Sequence, residues 1–249
     1  MQDQEIEHSL DNKKYTHEDL VTIACNECAG CSDCCHEMGD SIVLDPYDIW
    51  NFMSHMRLAG GAQITFDILV SEDGPYELSV YDGIIMPNIK MVAPGKCPFL
   101  SEQGRCTIHP IRSGLCRLYP LGRLFEVDEN DQESLSYYIL DHELGCKIKN
   151  RTDVKVSDWI GIPDIGSYED FLIQWHQIKR QTSTFYEQIY LTGAHEQNVL
   201  EKYQLKFLEI FYMKPYKNFF EEFDERIASW KDDIQQKRSY AGNKNSDNR

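Results

Sequence analysis

The chain has 249 residues, of which 41% are hydrophobic and 12% aromatic, and its formal net charge is -16 at pH 7. This composition supports a sizeable core and excludes a wholly disordered chain. The negative charge disfavours nucleic acid and anionic membranes as partners, because both would be repelled.

The first twenty residues contain no apolar run that could form a signal peptide, and no later run approaches the length of a membrane span. We therefore expect a cytoplasmic protein that spans no membrane. A reducing cytoplasm would also keep thiols available to bind metal.

Five of the nine cysteines fall within residues 25–35, which read CNECAGCSDCC. Two residues between successive cysteines let one turn of backbone aim two sulfurs at a common centre, as in zinc knuckles and ferredoxin clusters. Disulfides are the alternative, but the adjacent Cys34 and Cys35 suit them poorly and no signal indicates an oxidising compartment. This run therefore predicts a metal site.

A helix is predicted to follow this run. Asp45 is its expected cap, Pro46 takes the first helical position, and Asp48 lies near the positive end of the helix dipole. Gly60 and Gly61 are expected to end it. Its apolar positions read as core: Ile49, Trp50, Phe52, Met53 and Met56.

Residues 63–92 alternate in the manner of strands. The segment Asp73-Gly74-Pro75 is the predicted turn between ITFDILV and YELSVY. This inserted hairpin would separate the two halves of the cysteine set.

The second half of the set is Cys97, Cys106, Cys116 and the later Cys146. Between Lys96 and Arg123 there are five basic residues against the single acid Glu102, namely Lys96, Arg105, Arg112, Arg117 and Arg123. We favour guanidinium groups that offset the negative charge of a thiolate centre. The alternative is that they hold an anionic cofactor or substrate, with Arg112 and Arg117 as the candidate binding residues. His36 and His109 adjoin cysteines, and we expect them beside the ligands or at the surface rather than on the metal.

A second hairpin is predicted from Leu121–Val127 and Leu135–Leu140. Its tip carries five carboxylates, which lack the glycine and spacing of a calcium loop, so a solvated turn is expected. These acids are Glu126, Asp128, Glu129, Asp131 and Glu133.

Long amphipathic helices are expected from residue 167 onward, beginning with a capping box of Ser167 and Asp170. Three apolar stripes follow at helical spacing: Phe171, Leu172, Trp175, Ile178, Phe185, Tyr186 and Ile189; Val199, Leu200, Tyr203, Phe207, Ile210 and Phe211; and, after Pro215, Phe219, Phe220, Phe223, Ile227 and Trp230. The predicted fold is α+β: a cysteine-rich metal-binding domain of short hairpins and helices at 20–165, a helical region at 166–238, and a disordered tail at 239–249.

The block CxxCxxCC at residues 28–35, followed by MGDSIVLDPYD, CPFL, CxIHPxR, CRLYPLGR and a later lone cysteine, resembles the YkgJ-type cysteine-cluster family. That family is described as a zinc- or iron-chelating domain, and flagellin lysine N-methylase is distantly similar. The resemblance covers roughly residues 25–175 and departs at Ser113, where the family often has proline. It implies that eight cysteines are the metal ligands: Cys28, Cys31, Cys34, Cys35, Cys97, Cys106, Cys116 and Cys146. Cys25 is then the extra thiol.

Zinc and iron compete for the same thiolates. One continuous run followed by scattered single cysteines differs from the paired knuckles of structural zinc sites, so we favour an iron-sulfur cluster that serves electron transfer, sensing or a partner's reaction. Two alternatives stay open: a protein lysine N-methylase that uses S-adenosylmethionine, and a zinc-stabilised interaction module. Either would act on or with another protein.

Overall fold

The computed structural model describes residues 13–24, 32, 35–92, 95–140, 151–191 and 197–246, with backbone only for 197 and 238–246. The predictions for Cys25, Cys28, Cys31, Cys34 and Cys146 lie outside the described residues.

Short antiparallel strand pairs and helices alternate along the chain, and long helices close it, so the α+β prediction is confirmed. The elements are β1 (Leu20–Ala24), α1 (Pro46–His55), α2 (Phe66–Leu69), β2 (Tyr76–Tyr81), β3 (Ile84–Ile89), a 3₁₀ helix (His109–Ile111), α3 (Gly114–Leu118), β4 (Leu121–Val127), β5 (Glu133–Ile139), β6 (Thr152–Lys155), α4 (Val156–Ile160), α5 (Ile165–Leu191), α6 (Gln197–Leu208), a π-helical turn (Glu209–Met213) and α7 (Phe219–Ser246). The strands pair as β1 with β6, β2 with β3 and β4 with β5.

Helix α1 starts as predicted. The Asp45 side chain accepts the Asp48 amide at 2.9 Å and the Asp48 side chain accepts the Asp45 amide at 3.3 Å, which forms a capping box. The predicted end at the two glycines is wrong, because α1 stops at His55. The Arg57 guanidinium donates to the carbonyls of Met53 and Ser54, both at 3.1 Å, and so satisfies groups that the helix end leaves open.

The segment ITFDILV is not a strand, contrary to the prediction. It contains the short helix α2, in which Phe66 and Leu69 are buried on one face. The hairpin is instead β2–β3, with Tyr76 opposite Ile89. Its turn is Asp82-Gly83, both at positive φ, as a two-residue hairpin turn requires.

The hairpin of β4 and β5 is confirmed, with Leu121 opposite Ile139. Its tip is a turn in which the Asp128 carboxylate accepts the amides of Asn130 and Gln132, both at 2.8 Å. The solvated interpretation is wrong for Glu133, whose side chain is 0% exposed. It binds His176 at 2.6 Å and the Arg180 Nε at 3.0 Å, which ties β5 to α5.

The predicted cap of α5 also needs correction. The helix begins at Ile165, and the Asp164 carboxylate accepts the Ser167 amide at 3.2 Å, so Asp164 caps it instead of Ser167. At the other end of the chain, α7 continues to Ser246, beyond the residue where the sequence analysis ends the helical region.

An aromatic cluster joins the three long helical stretches. Trp175 of α5 contacts Phe207 and Phe211 at ring-centroid distances of 5.5 and 5.4 Å, and Trp230 of α7 contacts Phe207 at 5.2 Å. All four side chains are buried. The Tyr212 hydroxyl donates to the Leu44 carbonyl at 2.9 Å, which attaches this helical layer to the start of α1. Within the described ranges, no helix is long and apolar enough to span a membrane.

Candidate metal centre

All four cysteines that the structure describes line a single cavity of about 520 Å³, which we call cavity A. They are Cys35, Cys97, Cys106 and Cys116. Apolar side chains that include Ile42, Ile89 and Phe99 form much of the wall, and Arg105, His109 and Arg112 add polar groups. Chain segments far apart in sequence thus bring their thiols to one place.

Backbone hydrogen bonds hold three of these cysteines. The Cys97 amide donates to the Cys35 carbonyl at 2.8 Å, which fastens the end of the cysteine run to the second half of the set. Cys106 lies in an isolated bridge opposite Leu100. These contacts fix the thiols through the main chain rather than through regular secondary structure.

Cys116 is placed by helix α3. Ser113 is the cap, its hydroxyl accepting the Cys116 amide at 3.4 Å. The Asp48 carboxylate accepts the Gly114 amide at 2.7 Å and so joins the start of α1 to the start of α3. Burial raises the pKa of Asp48 well above its ordinary value, and the nearby carboxylate of Asp45 raises it further.

Tyr76 lies beneath the thiols. Its side chain is buried, and burial is the largest cause of a pKa well above the usual phenol value. The negative charges of Asp48 and of the Cys116, Cys97 and Cys106 thiolates raise that pKa further. A buried phenol near these negative charges ionises with difficulty, so Tyr76 stays neutral.

The two arginines predicted to bind a cofactor lie in different environments. Arg112 lines cavity A, bonds to His109 at 2.7 Å, and keeps a buried Nε that meets no hydrogen-bond partner among the described residues. Arg117 donates to the backbone carbonyls of Arg112, Pro110 and Ile160. Arg112 therefore brings an unused N–H donor to the cavity that the thiols line, whereas Arg117 binds backbone carbonyls.

The other basic residues near the cysteines also differ in their position relative to cavity A. Arg105 and His109 are exposed residues that border cavity A, and His36 is exposed and is not among the residues that line it. Trp159, which the sequence analysis did not select, lines cavity A and donates to the Leu118 carbonyl at 3.2 Å. Trp159 reaches cavity A because it follows β6, which pairs with β1. No local sequence pattern indicates that pairing.

The described donors fit a thiolate-bound metal but do not complete a site. Among the residues that the structure describes, no group of three or more His, Cys, Asp or Glu side chains could hold a metal ion. Soft sulfur donors suit zinc or iron, and the buried Arg112 Nε is a donor that a negative thiolate centre would satisfy. The remaining ligands would have to come from the cysteines outside the described ranges.

An α+β fold with four thiols around one cavity defines a cysteine-rich, metal-binding class of protein. A family model named CxxCxxCC, described as "Putative zinc- or iron-chelating domain", matches residues 27–136. This match over residues 27–136 agrees with the family resemblance that the sequence predicts. No curated protein matches the chain. No solved structure matches it either.

Proposed function

We propose that this protein holds an iron-sulfur cluster through its pattern cysteines, and, because a cluster takes four thiolates, the eight cysteines would serve either two four-thiolate sites or one cluster and a separate metal. The described ligands would be Cys35, Cys97, Cys106 and Cys116, and the others Cys28, Cys31, Cys34 and Cys146. The centre would serve electron transfer, sensing or the support of a partner protein's reaction in the cytoplasm. When bound, such a cluster supplies one-electron redox chemistry.

The observation that carries the proposal is the convergence of four distant thiols on cavity A. A family domain described as zinc- or iron-chelating gives the donor set its general role. The choice of a cluster over a single ion draws support from the spacing, because one continuous run followed by scattered single cysteines differs from the paired knuckles of structural zinc sites.

Charge supports the same choice. A cluster bound by four thiolates carries net negative charge, and hydrogen bonds to its sulfurs tune its potential. Arg112 brings both a positive charge and an unused buried N–H to cavity A, and Arg105 borders it. Arg112 and Arg105 would therefore offset the negative charge of the cluster, which is the role that the sequence predicts for the basic segment.

The test is anaerobic purification followed by visible absorbance and by iron and zinc analysis. We expect a sulfur-to-iron charge-transfer band in the wild-type protein. Replacing Cys116 with serine should remove at least half of the iron and lower solubility, because metal binding at such a site is also folding energy.

Cys25→Ser is the matched control, since Cys25 is the thiol outside the family pattern, and it should keep the wild-type iron content. Loss of metal from Cys25→Ser together with full occupancy in Cys116→Ser would overturn the ligand assignment. Zinc without iron would favour the zinc-stabilised interaction module. The lysine N-methylase prediction has a separate test, which is the binding of S-adenosylmethionine by calorimetry.

A further inference from the structure

A second cavity of about 820 Å³, which we call cavity B, lies against the thiol site and shares Ile42 and Cys116 with cavity A. It opens between the β4–β5 hairpin and helix α5. Its walls are largely apolar and include Met86, Leu118, Leu121, Leu172 and Trp175. The volume falls within the range of small-molecule sites, about 300–1,000 Å³.

Two cationic side chains line this apolar cavity, Arg123 from β4 and Lys179 from α5. Both are half-buried. Among the described residues, neither makes a hydrogen bond or a salt bridge, and the Lys179 ammonium lies 5.9 Å from the centre of the Trp175 ring. Buried cations are normally paired, so this arrangement calls for a counter-charge.

Part of that counter-charge is already present at Arg123: burial alone would lower its pKa, but the attraction of Tyr168, Asp45, Tyr137 and Asp48 outweighs burial and raises it. Asp45 also lines cavity B, but its carboxylate caps α1, and burial raises its pKa despite the attraction of Arg123. His176 borders the cavity and is bound to Glu133. Burial and the like charge of Arg123 lower the pKa of Lys179, a cost that an anion between the two cations would relieve.

We propose that cavity B binds a small amphipathic anion, with a carboxylate or phosphate head between Arg123 and Lys179 and an apolar body against Trp175 and the leucines. Such a ligand would lie beside Cys116, next to the thiol site. The binding does not depend on which metal the thiols hold.

The experiment is isothermal titration calorimetry on the metal-loaded, full-length protein below the micelle concentration of each probe. The probes are decanoate, decyl phosphate and decan-1-ol, which share one apolar body. We expect an anionic probe to bind at least tenfold more tightly than the alcohol, and the tighter of the two anions identifies the head group. Equal binding of the alcohol, or no binding of either anion, would overturn the proposal.

Variants locate the site. Lys179→Met keeps the length of the side chain and should weaken the anionic probe about tenfold, whereas Lys179→Arg should restore binding. The control is Lys202→Met, which removes an exposed lysine on α6 that does not line cavity B and should bind as the wild type does.

Iron content is measured on the same samples. We expect it to be unchanged in Lys179→Met, because this lysine neutralises a ligand rather than the thiol centre. Loss of metal with unchanged affinity for the probe would show that the lysine serves the thiol site, and it would overturn the assignment.

Discussion

The thiol-lined region and the helical layer are held together in different ways. Around cavity A, short helices alternate with segments that meet through isolated backbone hydrogen bonds, such as the one from the Cys97 amide to the Cys35 carbonyl. In the helical layer, Trp175, Phe207, Phe211 and Trp230 pack ring against ring in a buried cluster. Both regions share one buried apolar core, so we expect that what the thiols bind adds stability to the cysteine region that the helical layer does not need.

The largest loss of stability is expected from Trp230→Ala in the helical layer. Trp230 is 0% exposed and its indole N–H donates to Thr182 at 2.8 Å, so the variant leaves a cavity and an unpaired hydroxyl. The free energy of unfolding should fall by about 3–5 kcal/mol in chemical denaturation. Iron per folded molecule should not change.

Tyr190→Ala is the control for that variant, because Tyr190 is 76% exposed on α5. Its unfolding free energy should lie within about 0.5 kcal/mol of the wild-type value. If Trp230→Ala lost its iron while its helices stayed stable, the helical layer and the thiol-lined region would not be stabilised in different ways, contrary to our expectation.

The next largest effect is expected on the metal content of variants at the neighbours Cys34 and Cys35. Adjacent sulfurs reach one metal only if the backbone turns sharply. The Cys35 amide donates to the Ser32 carbonyl at 2.8 Å, so the chain turns at Cys35, and division of the two thiols between different groups of ligands remains the prediction to test. Cys35 lines cavity A with Cys97, Cys106 and Cys116, as expected for the member that faces the distal group. The role of Cys34, closing a site with Cys28 and Cys31, stays a prediction.

Single serine variants of these two neighbours, followed by metal counting, test that division. If there are two centres, each variant should lose a different fraction of the metal. Identical losses and identical spectra from both variants would indicate one shared centre.

A smaller effect should follow from Arg112→Gln. Removing a positive charge and an N–H donor from cavity A makes it harder to add an electron to a negative cluster, so the midpoint potential should become more negative. Arg57→Gln removes one charge far from the cavity and should leave the potential unchanged. Spectroelectrochemical titration of both variants measures this, and an equal or more positive potential in Arg112→Gln would count against a sulfur contact.

The smallest expected effect is on the pH dependence of stability. The folded-state pKa of Asp48 is raised well above 3.8, so the folded state binds that proton more tightly than the unfolded state does. Stability that is present at low pH is therefore lost as pH rises from about 3.8 through the raised pKa. Asp48→Asn should flatten this decline in denaturation curves recorded across that range. If the stability of Asp48→Asn declined with pH as steeply as that of the wild type, another titrating group would be responsible for the decline.

Local patterns predicted much of the fold. Asp45-Pro46 fixed the start of α1, and the alternation of β4 and β5 predicted their pairing. The failures lie where distant contacts decide. Phe66 packs against Tyr212 with ring centroids 6.1 Å apart, and a helical turn presents it there, although its segment alternates like a strand. Glu133 is buried because α5 supplies His176 and Arg180 as partners.

The candidate site could be predicted in its chemistry but not in its arrangement. Cysteine spacing predicts metal, because thiolates are rarely clustered for packing alone, and the ligand set implied by the family resemblance stays a prediction. Nothing in the spacing shows that Arg112 faces the thiols while Arg117 binds backbone carbonyls. Cavity B could not be predicted either, since Arg123 and Lys179 come from elements far apart in sequence.

The central claim is that the thiols of cavity A belong to an iron-sulfur centre. Counting iron, zinc and acid-labile sulfide in one anaerobic sample of the wild-type protein tests it most directly. We expect iron and sulfide in equal amounts, with zinc well below both. Zinc as the main metal, with no labile sulfide, would contradict it.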